Sequence, residues 1–140
     1  MFYLDTSVLV AATTNEPRTI EILAWFDLQV GEDLSISDWV VTEFSAALSV
    51  KLRTRQIKAA ERVDALAAFA RLCAGALALL PVSRSQFRTA ARFADTHALG
   101  LRGSDALHLA VSGDYGATLY TLDRRLSEAG ASLGVKTALL

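Results

Sequence analysis

Short apolar runs alternate along the whole 140-residue chain with stretches in which apolar residues recur every three or four positions. The runs predict strands at Phe2–Leu4, Leu34–Ser37, Leu77–Leu80, Thr118–Thr121 and Val135–Thr137. The stretches between them predict helices near Ser7–Ala12, Pro17–Leu28, Asp38–Arg53, Lys58–Ala74, Ser85–Leu99, Ser104–Asp114 and Arg124–Ala129. Regular strand–helix alternation implies an α/β architecture built on a parallel sheet. Pro17 suits a first helical turn, where its missing N–H is no loss. Gly100, Gly103, Gly116 and Gly134 fall where helices begin or end. With no internal repeat, linker or low-complexity segment, one compact domain over residues 1–140 is expected.

Pro81 adds topology. It removes a ladder donor at the end of the third strand, which a sheet tolerates best at an edge. An edge position for that strand suits a doubly wound order of 3-2-1-4-5, with the winding reversing between strands one and four. A ligand crevice then opens at the carboxyl ends of those two strands.

Four acidic residues are directed to that rim. Asp5 ends the first strand (Tyr3-Leu4-Asp5-Thr6-Ser7) and Asp123 follows the fourth (Tyr120-Thr121-Leu122-Asp123). Glu43 lies in the second turn of the helix after strand two, and Asp105 in the first turn of Ser104-Asp105-Ala106-Leu107. Helices antiparallel to the strands bring their N-termini to the same edge, so all four are expected to converge. Singly, Asp5 and Asp123 read as ordinary helix caps, and Asp105 as an acid favouring its helix's positive end with Ser104 as the cap. Glu43, flanked by Val40, Phe44 and Ala47, borders a buried face where an unpaired carboxylate is uncommon. Together, crowded carboxylates in apolar surroundings require cations, and an all-oxygen set selects Mg²⁺ or Mn²⁺ over zinc. Asp38 and Asp114 read as a plain cap and a loop acid.

Composition narrows the partners. Lys+Arg 14 against Asp+Glu 15 gives a net charge of −1, so nucleic-acid binding through overall charge is excluded and only a local basic face could serve. Arg124 and Arg125, beside Asp123, are the best phosphate contacts by position. The Arg84, Arg88 and Arg92 stripe and the Lys51–Arg62 basic tract read first as solvated faces. Mean hydropathy is +0.32, yet the longest apolar stretch, Leu72–Val82, is too short to span a bilayer. The chain opens directly on a strand and its single Cys73 sits in a helical pattern, so a reducing cytoplasm is expected and no membrane. Cys73 reads as a small buried hydrophobe. His97, His108 and Cys73 lack the spacing of a zinc site. His108, one turn after Asp105 on the same face, reads as packed in its helix, with a supporting hydrogen bond or proton shuttle as the alternative. Trp25, Phe26 and Trp39 read as core or partner-binding aromatics, and an apolar groove between the second and the third or fourth helix could take a partner segment.

These residues resemble those of the PIN-domain ribonucleases, specifically the VapC-type toxins of toxin–antitoxin pairs. The likeness covers the whole length and rests on Tyr3-Leu4-Asp5-Thr6-Ser7, Glu43, Asp105-Ala106-Leu107-His108-Leu109-Ala110 and Leu119-Tyr120-Thr121-Leu122-Asp123. It implies a three-layer α/β/α PIN-like domain with a five-stranded parallel sheet, and a Mg²⁺- or Mn²⁺-dependent endoribonuclease. Asp5 and Asp105 would be the principal metal ligands, Glu43 and Asp123 would complete the catalytic set, and Ser7 and Thr121 would steady the carboxylates. A homodimer neutralised by a cognate antitoxin is also implied. Gly103-Ser104 departs from the bulkier residues or proline of many relatives. Hydrolysis by an activated water would leave a 5′-phosphate and a 3′-hydroxyl, with no side-chain nucleophile.

Other α/β classes fit less well. A haloacid-dehalogenase-type phosphatase needs a second Asp where Ser7 stands, a receiver domain needs an Asp where Leu80-Pro81-Val82 stands, and a dinucleotide site needs a Gly-rich first turn. The serious rival is a PIN-like module that binds RNA or a partner without cutting.

Overall fold

The computed structural model describes residues 1–29 and 31–140. Its five strands are β1 (Phe2–Leu4), β2 (Leu34–Ser37), β3 (Ala78–Leu80), β4 (Thr118–Thr121) and β5 (Thr137–Leu139). They pair in parallel throughout, in the order β3-β2-β1-β4-β5. The helices are α1 (Thr6–Thr13), α2 (Thr19–Asp27), α3 (Asp38–Arg53), α4 (Ala59–Gly75), α5 (Arg84–Ala94), α6 (Gly103–Asp114) and α7 (Arg124–Ser132). No helix among the described residues is long and apolar enough to cross a membrane.

The order follows from the chain's short-range chemistry. β1 and β2 are central and buried on both faces, so their side chains read as an almost unbroken apolar run. The two serines of β2 are the exceptions, and both are satisfied: Ser35 Oγ donates to the Phe2 carbonyl at 3.0 Å, and Ser37 Oγ lies 2.7 Å from the Tyr3 hydroxyl. β3 lies at the edge expected from Pro81, whose carbonyl accepts a 3.1 Å hydrogen bond from Tyr115. Right-handed crossovers then put α1–α4 on one face and α5–α7 on the other. The helix contacts divide the same way, with α1 against α2, α3 and α4, and α5 against α6. The resulting three layers close over a core that includes Leu4, Ile36, Phe44, Leu109 and Leu119, all fully buried.

Several boundaries differ from the sequence reading, most by one residue, and the hydrogen bonds and backbone angles explain three of them. The fifth strand is Thr137–Leu139, not Val135–Thr137. Val135 is a core residue, but its amide donates to the Gly130 carbonyl at 2.9 Å, closing the end of α7 through Gly134 at φ +74°. The helix expected over Ser85–Leu99 stops at Ala94. A single 3₁₀ turn, His97–Leu99, follows and ends in Gly100 at φ +60°, a left-handed conformation that glycine adopts without strain. The second helix starts at Thr19, because the Thr19 hydroxyl bridges the Glu16 amide (2.8 Å) and the Thr14 carbonyl (2.7 Å), leaving Pro17 in the preceding turn.

Candidate active site

The rim at the carboxyl ends of β1 and β4 is organised around Asp5. The residue is 5% exposed and caps α1 with one oxygen: Oδ1 accepts from the Ser7 amide (3.0 Å), the Val8 amide (3.3 Å) and the Ser7 hydroxyl (2.5 Å). Oδ2 has a different neighbour, the Thr121 hydroxyl at 2.6 Å. No lysine or arginine pairs with Asp5 among the described residues. Burial pushes its carboxyl above the usual range, against the pull of His108, Ser7, Thr121 and the Val8 amide. Among the described residues the polypeptide thus buries an acidic side chain that no lysine or arginine neutralises, next to the place where α/β sheets bind ligands.

Ser7 and Thr121 hold more than Asp5. The Ser7 hydroxyl also accepts the Leu122 amide at 3.1 Å, and Thr121 Oγ1 accepts the Asp123 amide at 2.9 Å. Together they join the exit of β4 to the start of α1 and fix where Asp123 begins. Asp123 caps α7, its Oδ1 accepting from the Arg125 amide (2.8 Å) and the Leu126 amide (3.3 Å). Asp105, the third residue of α6, accepts the Arg102 amide on Oδ2 at 3.2 Å. The cap position is Arg102, not Ser104, and Ser104 lies inside the helix instead. Asp105 and Asp123 face one cleft of about 70 Å³, where Arg125 also lies and donates to the Gly100 carbonyl at 2.9 Å. Each aspartate therefore commits one oxygen to backbone capping, and the other takes no backbone hydrogen bond.

Glu43 is reached from two sides. Its Oε2 accepts the Thr6 hydroxyl at 2.7 Å and lies 2.6 Å from His108 Nε2. Burial raises its carboxyl, but the hydrogen bond and charge of His108, with Thr6 and Ser104, outweigh that and hold it below the usual range. The sequence read His108 first as packed in its helix, with a supporting hydrogen bond as the alternative; the structure shows that hydrogen bond, to another element. Behind it, His108 Nδ1 is 2.9 Å from the Tyr3 hydroxyl, which is 2.7 Å from Ser37 Oγ. The signal for Tyr3 was present but unread: two residues apart on an extended strand, Tyr3 and Asp5 share a face. Thr6, beside Asp5 in sequence, carries no sequence signal for its role as the hydroxyl donor to Glu43.

Asp38 and Asp114, read as a plain cap and a loop acid, differ in detail from those places. Asp38 is exposed and is the first residue of α3, with Ser37 as the cap position, and Asp114 ends α6 and accepts Gln86 Nε2 at 2.8 Å. Both remain apart from the rim's hydrogen bonds.

A family model described as PIN domain matches residues 2–131, nearly the entire chain. The chain belongs to the PIN-domain family. Among solved structures, VapC20 of Mycobacterium tuberculosis, a sarcin-ricin loop cleaving toxin, superposes with a TM-score of 0.75 at 21% identity over 93% of this chain and 95% of that one. VapBC2 of Rickettsia felis, bound to a DNA fragment from its promoter, gives a TM-score of 0.71 at 19% identity over 99% and 98%. FitAcB of Neisseria gonorrhoeae gives 0.69 at 19% over 98% and 96%. At these identities the likeness establishes the fold. No curated protein sequence matches the chain.

For this PIN domain, the donor chemistry at the rim is that of a hard divalent cation: carboxylate and hydroxyl oxygens, with Asp5 buried and lacking a lysine or arginine partner among the described residues. The spacing is less complete. Among the described residues no three His, Cys, Asp or Glu side chains are arranged to hold one metal ion. Side-chain rotation of Asp105 and Asp123, neither of which is buried, is what would bring their uncommitted oxygens inward. Cys73 is half-buried in α4, far in sequence from the rim, and burial pushes its thiol up, away from reactivity.

Proposed function

We propose that this PIN domain is a Mg²⁺- or Mn²⁺-dependent endoribonuclease and the toxin of a toxin–antitoxin pair. The observation that carries the reading is Asp5: buried, without a lysine or arginine partner among the described residues, and placed at the strand-order reversal of a nuclease fold. Asp5, Asp105, Glu43 and Asp123 would hold the cation, with Ser7 and Thr121 keeping the Asp5 carboxylate in place. A bound divalent cation supplies charge stabilisation to a scissile phosphate and acidifies water at neutral pH. The protein's own part is positional. The Thr121 hydroxyl aims Asp5 Oδ2, the first α7 amides fix one oxygen of Asp123 and the Arg102 amide just before α6 fixes one of Asp105, and Thr6 holds Glu43 beside the Asp5 turn.

Substrate and partner are argued from charge and shape. Arg124 is exposed on the rim, and Arg125 borders the Asp105–Asp123 cleft, so both can meet phosphate oxygens of RNA. Lys51 is a weaker candidate, since it pairs with Glu16 at 2.6 Å. The similar structures include a toxin and a VapBC pair bound to DNA from its promoter, which supports a cognate antitoxin here. Its seat would be the apolar groove of about 440 Å³ between α1, α2 and α4, lined by Ala12, Leu23, Phe26 and Leu72. A homodimer is part of the same proposal.

A second reading has one observation in its favour: no ready three-ligand cluster exists among the described residues. A noncatalytic PIN module would bind RNA without cutting it. The two are separated by RNA cleavage in Mn²⁺ with wild type and Asp5→Asn. Asparagine retains the oxygen that accepts the Ser7 and Val8 amides, so the fold persists while the charge is lost. Cleavage is expected to fall at least about a hundredfold, the scale of losing a principal electrostatic group. Equal cleavage by both proteins would refute the site, and no cleavage by wild type would favour the binding module.

A further inference from the structure

His108 is a fully enclosed polar side chain that the proposed reaction does not use. It is 3% exposed, and both ring nitrogens are engaged, Nε2 with Glu43 Oε2 at 2.6 Å and Nδ1 with the Tyr3 hydroxyl at 2.9 Å. Tyr3 and Ser37 are each fully buried, and their oxygens are 2.7 Å apart. The imidazole is therefore held from behind by β1 and β2 while its other end meets Glu43, the most exposed of these groups, whose side chain is 23% exposed.

The direction of the hydrogen bonds follows from the chemistry. An ionised Glu43 can only accept, so Nε2 carries a proton toward it. The Tyr3 hydroxyl fills Nδ1 in either state of the ring, donating to a neutral ring and accepting from a charged one, with Ser37 as the complementary partner of Tyr3. Burial keeps Tyr3 a phenol, since it raises its ionisation well above the ordinary range. Every donor and acceptor in the row Ser37–Tyr3–His108–Glu43 is matched.

Position gives this row its meaning. His108 lies one helical turn beyond Asp105 on α6, and Thr6 is the residue after Asp5. Both put their hydrogen bonds on the same Glu43 oxygen. The Glu43 carboxylate is thus tied to the two elements that carry Asp5 and Asp105. A free glutamate side chain loses rotamer freedom when it is fixed. Here that loss is taken during folding.

We infer that His108, backed by Tyr3 and Ser37, is a positioning residue that sets the Glu43 carboxylate relative to Asp5 and Asp105, and so determines how tightly the rim takes a divalent cation. The inference rests on the metal-site reading above and adds a role for residues outside the acidic set.

The test measures Mn²⁺ binding by electron paramagnetic resonance without RNA, and separately the Mn²⁺ dependence of RNA cleavage. The proteins are wild type, His108→Leu, His108→Gln and Tyr3→Phe. His108→Leu should weaken Mn²⁺ binding about 10–100-fold, the usual effect of losing a group that orients a ligand. The Mn²⁺ concentration for half-maximal cleavage should rise in step. His108→Gln, which can still donate an N–H toward Glu43, should recover much of that affinity; a merely structural histidine would show no such rescue. Tyr3→Phe keeps the ring and the core volume, so it should fold and weaken Mn²⁺ binding several-fold; it decides the matter if His108→Leu fails to fold. Mn²⁺ affinity within twofold of wild type in folded His108→Leu, or in Tyr3→Phe where the former does not fold, overturns the inference while leaving the nuclease standing. Wild type that binds no Mn²⁺ overturns both, and wild type that binds Mn²⁺ without cutting RNA leaves the binding measurements to decide the role of His108 and removes the nuclease.

Discussion

At the scale of single residues, capping and ligation are compatible uses of one carboxylate. Asp5, Asp105 and Asp123 all accept backbone amides, as isolated helix-start aspartates do, but each does so through a single oxygen. Asp5 differs in being buried, and this gives it a measurable sign. Its carboxyl is raised in the folded protein above the 3.8 of an ordinary aspartate, chiefly by desolvation. Between those two values the folded state binds more protons than the unfolded chain, so stability falls as pH rises through that window. Glu43, held below its ordinary value, works oppositely: its contribution is present above the unfolded value and is lost as pH falls through the folded one. Urea unfolding in EDTA should therefore show wild type losing stability relative to Asp5→Asn as pH rises above the ordinary aspartate range. Glu43 is common to both proteins and largely cancels. A constant difference from pH 4 upward would show that Asp5 is not desolvated. The acids were legible in the sequence because carboxylates in apolar runs stand out. The hydroxyls and the imidazole that direct them were not, because Thr6, Ser37 and His108 reach across 37, 34 and 65 or more positions to partners that only the fold reveals.

At the scale of elements, helix and strand types followed from periodicity, and boundaries failed where a backbone amide had an unexpected partner. Val135 looks like strand and is buried like strand, but its N–H belongs to the end of α7. The seat of that helix is also where one side-chain hydrogen matters most. Gly130 is inside α7, and a Cβ there would collide with Thr137 Cγ2 and come within 2.7 Å of Leu109 Cδ2. α7 can lie against β5 and α6 only because that methyl is missing. Gly130→Ala should cost about 1–3 kcal/mol despite alanine's better helix propensity, since overpacking outweighs the gain. Adding Thr137→Ser removes Cγ2, keeps the hydroxyl that donates to the Ser127 carbonyl at 2.8 Å, and should return part of the loss. A Gly130→Ala protein as stable as wild type in urea would show that α7 is not seated as described.

At the scale of the whole molecule, the strand order 3-2-1-4-5 was legible from one proline and the placement of four acids. That order is what puts the start of α1, the second turn of α3, the first turn of α6 and the start of α7 on one rim. How close the four carboxylates come was not legible, because it depends on side-chain rotamers that a cation would itself select. The central claim is that this rim is a divalent-cation site, and the most direct measurement is thermal unfolding with increasing Mn²⁺, starting from EDTA. A ligand that binds only the folded state adds about 2.7 kcal/mol at a hundred times its Kd. For a chain of this length that is a rise in Tm of roughly 8 °C. Wild type should show that rise and Asp5→Asn only a small part of it. A wild-type Tm that does not move at millimolar Mn²⁺, or that moves equally in Asp5→Asn, would contradict the account.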